Sequence, residues 1–225
     1  DALDQLVSAV EEGRCVSANI RYFVRYLLSC NIGEVLTMFV GILMGMPIVL
    51  LPVQILLVNL VTDGLPAIAL GVEPPEKDIM NHPPRKSTEG FFSGGLMWKI
   101  IFRGIFIGLS TLASFTTVMR LGGSLEASRT AALITLVMSQ LIHVFECRSE
   151  HRSIFRMNPF GNMKLVLAVA VSFAALAAAV MLPQLQTVFE TVSLNSNELL
   201  TAFGFSAAVP LMSNIFGSLS EKRKK

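Results

Sequence analysis

Two carboxylates stand inside membrane-length apolar sequence: Glu34 in YLLSCNIGEVLTMFVG and Asp63 in ILLVNLVTDGLPAIAL. An ionised side chain in such a run costs about 3 kcal/mol even on the mildest insertion scales, so each points to a function and to a partner that must be named. Asn31 lies three residues before Glu34, while Asn59 lies three before Thr62 and four before Asp63, spacings that put each set on one face of a helix. No Lys or Arg is expected at their depth, so the natural counter-charge is a bound cation or a proton. Two carboxylates, two side-chain amides and a hydroxyl are hard oxygen donors, which suit calcium or another hard ion better than zinc or copper. The alternative is that Asn31, Asn59 and Thr62 hydrogen-bond between helices while the carboxylates stay protonated.

The elements that must hold these groups are long helices. The chain has 225 residues, 52% of them hydrophobic and 15% charged, with a mean hydropathy of +0.61. That balance argues against a water-soluble enzyme. A net charge of +2, with the basic residues divided among connections, argues against nucleic acid as a partner. A helix needs about 20 residues to cross a hydrocarbon core. Six stretches meet that length: Tyr26 to Met46, Leu50 to Leu70, Leu96 to Met119, Ala127 to Glu146, Lys164 to Leu182 and Leu199 to Leu219. The expected fold class is all-α, a polytopic membrane bundle of six transmembrane helices.

Basic residues alternate along these spans. Arg14, Arg21 and Arg25 precede the first, Lys77, Arg85 and Lys86 follow the second, Arg148, Arg152 and Arg156 follow the fourth, and Lys222 to Lys225 end the chain. Intervening connections carry few, which predicts both termini on the cytoplasmic side. No Pro or Gly interrupts the sequence between Arg14 and Asn31, so the first span is expected to extend into a cytoplasmic stalk over 1–25, ahead of the transmembrane domain over 26–219 and a basic tail over 220–225. The amphipathic start, without an initiator Met or signal peptide, reads as a piece of something larger.

Within the second span, Gly64 weakens the helix after Asp63 and Pro66 has no N–H for the Thr62 carbonyl. This predicts an interrupted helix with freed carbonyl oxygens, as at transporter sites. Gly104 and Gly108 form a GxxxG that predicts close helix packing. Lys99 and Arg103 are expected to snorkel to headgroups, Glu146 to be interfacial, Gln140 and His143 to be polar packing or function, and His82 to be a solvated loop residue. Cys15, Cys30 and Cys147 show no metal or disulfide spacing and read as buried thiols.

The strings RYLLSCNIGE, VNLVTDGLPAIALGVEPP and DIMNHPPR resemble segments of P-type calcium-transporting ATPases of the sarco/endoplasmic reticulum type and their bacterial relatives. The resemblance is specific over Ala9 to Arg85 and continues beyond it in the number, order and topology of the spans. It implies the C-terminal membrane half of such a pump, its last six transmembrane helices below a stalk. By this resemblance the calcium ligands fall on Asn31, Glu34, Asn59, Thr62 and Asp63, and a further family carboxylate falls on Gln140, a departure that removes one charge. It also implies Ca2+ as transported ion, with ATP and Mg2+ used only in other domains, no catalytic residue in this segment, and the lipid bilayer, the phosphorylation domain and the N-terminal transmembrane helices as partners. The host membrane would be the plasma membrane in a bacterium. A free-standing six-span cation channel or secondary transporter is the alternative; it would more often show repeated halves, and the two three-span halves share no ligand motif.

Overall fold

The computed structural model describes residues 1–150, 152 and 154–222, with side chains described up to residue 216. The tail expected over 220–225 lies outside the described side chains, and entirely outside the described residues from position 223. The described residues form helices and connections with no strand: α1 (Ala2–Leu43), α2 (Pro52–Thr62), α3 (Leu65–Leu70), α4 (Leu96–Arg120), α5 (Leu125–Glu146), α6 (Met163–Met181), α7 (Pro183–Phe189) and α8 (Ser196–Lys222). Six spans among them are long and apolar enough to cross a membrane, with α2 and α3 together forming the second.

Asp1 caps α1 by accepting from the Leu3 amide, and the helix then runs unbroken for 42 residues. At 1.5 Å per residue that is about 63 Å, twice a hydrocarbon core of about 30 Å. Leu3, Leu6, Val10 and Ile20 on its first half are exposed. The second span breaks at Asp63 and Gly64, and Pro66 in the first turn of α3 restarts it. The short α7 was not expected from hydropathy; its signal is Pro183, pre-set for a first helical position.

Glycine lets α1 and α4 approach closely. A Cβ on Gly104 would collide with the Ile32 side chain and lie 3.1 Å from the Ser29 carbonyl, and one on Gly108 would lie 3.1 Å from the Gly33 carbonyl. This contact holds α1 rigidly in the turn that carries Glu34. Helix α5 is the most enclosed span, with 78% of its apolar window buried. Its polar residues therefore need protein partners.

Arg103 corrects one expectation. Instead of snorkelling it is only 3% exposed, donates from Nη1 to the Val209 carbonyl at 2.9 Å, and pairs with Glu146. Glu146, the last residue of α5, is thus buried against α4, with His143 Nδ1 3.7 Å from its carboxylate. A guanidinium packed between α4, α5 and α8 gains more from a buried carboxylate than from a stretched path to the headgroups. Lys99 is exposed and donates to the Glu150 carbonyl at 3.0 Å.

Two stability tests follow from this packing. Gly104→Ala should cost about 1–3 kcal/mol by overpacking, while Gly13→Ala, where nothing lies within 4 Å, should be neutral or slightly stabilising. Thermal unfolding of the purified chain in detergent distinguishes them; equal effects would remove the close-packing account. Arg103→Met should destabilise by about 3–5 kcal/mol because Glu146 is left buried and uncompensated, and adding Glu146→Leu should recover most of the loss. A double variant no better than the single would show that the pair is not the cause.

Candidate cation site

Three elements converge on the carboxylates. Glu34 projects from α1, half-buried, and its Oε1 accepts from Nε2 of Gln140 on α5 at 3.1 Å. Gln140 is fully buried, and its Oε1 has no hydrogen-bond partner. The amide therefore meets Glu34 with a donor while keeping an acceptor oxygen available to a cation.

Asp63 caps α2, its amide donating to the Asn59 carbonyl at 3.0 Å. Thr62 is buried, and its hydroxyl lies 2.7 Å from the Val58 carbonyl and 3.4 Å from Asp63 Oδ1. A hydroxyl has one proton, and the shorter contact to Val58 takes it, so Thr62 Oγ1 faces Asp63 with lone pairs. The buried Oδ1 of Asn59 likewise has no hydrogen-bond partner. Oxygen acceptors thus accumulate around the break with too few donors to match, an arrangement that a hard cation stabilises. Asp63 and Glu34 also repel each other electrostatically.

Among the described residues, no Lys or Arg pairs with Glu34 or Asp63, whereas Arg21 pairs with Glu150, Arg103 with Glu146, Arg148 with Glu73 and Arg152 with Asp78. The bundle's deep guanidinium, Arg103, is committed elsewhere. Asn31 is the outlier of the expected set: it is exposed on α1, and no described contact draws it to the other five.

The break frees fewer carbonyls than expected. The Val61 carbonyl accepts from Ser172 on α6 at 2.7 Å, and the Thr62 carbonyl accepts from Tyr26 on α1 at 3.0 Å. Buried backbone oxygens in a low-dielectric interior require donors, and hydroxyls from neighbouring helices supply them. A Cβ on Gly64 would lie 3.1 Å from the Leu60 carbonyl.

Tyr26 and Ser172 escaped the sequence reading because neither type at a single position signals a backbone partner on another helix. A second group also escaped it. Glu76, Asp78 and His82, the last expected to be merely solvated, present ligand atoms within 4.8 Å of one another in the 71–95 connection. Protein groups already engage it: Tyr22 meets Glu76 at 3.3 Å and Arg152 meets Asp78 at 3.5 Å.

Residues 47–218 match the family described as cation transporting ATPase, C-terminus. Over 225 residues the chain is 44% identical to a calcium-transporting ATPase of Bacillus subtilis (strain 168), covering 100% of this chain and 25% of that protein. Over 241 residues it is 36% identical to calcium-transporting ATPase 1 of Bacillus cereus (strain ATCC 10987 / NRS 248), covering 99% of this chain and 27% of that protein. The chain thus spans about a quarter of the length of these relatives, and it belongs to the cation transporting ATPase C-terminal family.

Proposed function

We propose that this chain is the cation-binding membrane domain of a longer, ATP-driven calcium pump. Calcium is the cargo, and Asn31, Glu34, Asn59, Thr62, Asp63 and Gln140 form its coordination sphere, with Asp63 as the central ligand. The observation that carries this reading is the pair of uncompensated carboxylates, Glu34 and Asp63, at a helix break lined with unpaired oxygen acceptors. Calcium takes six to eight oxygen ligands, and the exposed position of Asn31 suits a sphere completed by helices outside this chain.

In this reading residues 1–25 form the cytoplasmic stalk, 26–219 the transport domain and 220–225 a basic cytoplasmic tail, with both termini cytoplasmic and the bacterial plasma membrane as host. ATP and Mg2+ act in a phosphorylation domain above the stalk, and N-terminal transmembrane helices pack against α1. The role of this chain is electrostatic and mechanical: it presents carboxylates to one side and then moves them. A free-standing channel or secondary transporter is not favoured, since the chain matches about a quarter of each named calcium-transporting ATPase.

Two experiments test the assignment on the longer protein. Asp63→Asn removes the charge at the break and should abolish calcium-dependent phosphorylation by ATP; a phosphoenzyme with unchanged calcium dependence would refute the central role of Asp63. Gln140 supplies an amide where a second carboxylate would add full charge, and calcium affinity follows ligand charge count. Equilibrium binding of radioactive calcium should give about one ion per protein with little cooperativity, and Gln140→Glu should raise that number. Two cooperative ions in the unaltered protein would contradict the role given to Gln140.

A further inference from the structure

Two arginines one helical turn apart on α1 use the same guanidinium edge differently. Arg21 turns the edge formed by Nε and Nη2 onto the Glu150 carboxylate, with Nη2 3.4 Å from Oε2. Arg25 spends Nη1 on two carbonyls at the end of α5, those of Glu146 at 3.4 Å and Ser149 at 3.3 Å. Its Nε is buried with no acceptor, and among the described residues nothing accepts from Nη2. A buried N–H without an acceptor is unfavourable, and this edge of arginine fits two oxygens of a carboxylate or a phosphate. The acids nearby are already taken: Glu150 pairs with Arg21 and Glu146 with Arg103. Lys99, in the first turn of α4, donates to the Glu150 carbonyl at 3.0 Å and pairs with no carboxylate among the described residues. Arg25 and Arg21 both repel Lys99, and Arg25 repels Arg103. Four cations thus share two carboxylates where α1, α4 and the end of α5 meet, an excess of positive charge that an anion relieves.

The same corner has an apolar margin. Lys99 is exposed, and so are Trp98 and Phe102 beside it, whose rings lie 5.9 Å apart. With Leu109, also exposed, they form a stripe on one face of α4 at steps of four and seven residues, about 16 Å long at 1.5 Å per residue. Trp98 is the single tryptophan of the chain, and tryptophan favours the headgroup level of a bilayer. A positively charged pocket between spans, with an aromatic ring at its rim and an apolar stripe leading away, matches both ends of a phospholipid.

We propose that the α1–α4 junction binds an anionic phospholipid, its phosphate held by Arg25 and Lys99 and one acyl chain laid along Trp98, Phe102 and Leu109. The Nε–Nη2 edge of Arg25 takes phosphate oxygens as that of Arg21 takes Glu150, and the Lys99 ammonium adds a second charge. The headgroup must be anionic overall. A choline headgroup would bring its own cation into a pocket with positive charge in excess, whereas the phosphate of phosphatidylglycerol carries no such partner. The site needs α1 and α4 to lie in a membrane and does not depend on calcium transport, so its failure would leave the cation site untouched.

Trp98 itself supplies the readout. The longer protein is placed in mixed vesicles of phosphatidylglycerol and phosphatidylcholine, with the acyl chains of one lipid brominated at a time. Quenching of Trp98 fluorescence, taken as the difference from the Trp98→Phe variant, then reports which lipid sits at the junction. Brominated phosphatidylglycerol should quench more than the same fraction of brominated phosphatidylcholine, and added inorganic phosphate should not remove the preference. Arg25→Gln and Lys99→Gln should each lower the relative binding constant for phosphatidylglycerol about fivefold, while Arg120→Gln, at the opposite end of α4, should leave it unchanged. Because Lys99 is exposed, Lys99→Gln decides the matter even if Arg25→Gln fails to fold. Equal quenching by the two lipids, as when a carboxylate from outside this chain fills the Arg25 edge, overturns the proposal. So does a preference that Lys99→Gln leaves intact, or one that inorganic phosphate abolishes, which would make the ligand a free phosphate.

Discussion

Two carboxylates in a low-dielectric helical bundle, with no Lys or Arg paired to them among the described residues, form the constraint on which the rest of the molecule depends. Elsewhere several buried or half-buried acids are paired with arginine: Glu146 with Arg103, Glu73 with Arg148, Glu150 with Arg21. At Glu34 and Asp63 it supplies an amide and a hydroxyl instead. Desolvated charge without a counter-ion is costly, and under the proposed function an external cation meets that cost.

The surrounding architecture holds the unfavourable arrangement in place. Glycine contacts bring α4 against α1 at the turn of Glu34, and the enclosed α5 carries Gln140 to meet it. On the second span, the break that exposes Asp63 could have left bare carbonyls, yet Tyr26 and Ser172 satisfy two of them. Those hydroxyls tie α1 and α6 to the same short stretch of backbone. Under the proposed function, this common tie lets movement of the helices reach the site as a unit, as transport by alternating exposure requires.

Most of the helices were legible in the sequence because the bilayer restricts the choices: an apolar run of span length must be a helix. The interrupted second span was legible from Gly64 and Pro66, whose effects on the backbone are local. Asp63 and Glu34 were legible for the same reason that they are costly, as charges in apolar surroundings. Arg103 was not, because four residues of spacing from Lys99 permit both snorkelling and burial, and only the position of Glu146 on another helix decides between them. Gln140 is in contact with Glu34 across more than 100 residues of sequence, a pairing that spacing cannot reveal; the family resemblance singled out Gln140 but not its partner.

The central claim is that a hard cation completes the acceptors at the α2–α3 break. A structure of the longer protein in calcium, with the ion identified by its anomalous scattering, tests this directly. The account predicts an ion about 2.3–2.6 Å from carboxylate oxygens of Asp63 or Glu34, with Asn59, Thr62 and Gln140 around it. Ordered calcium bound only at Glu76 and Asp78, or an arginine turned in to neutralise Asp63 and Glu34, would contradict it.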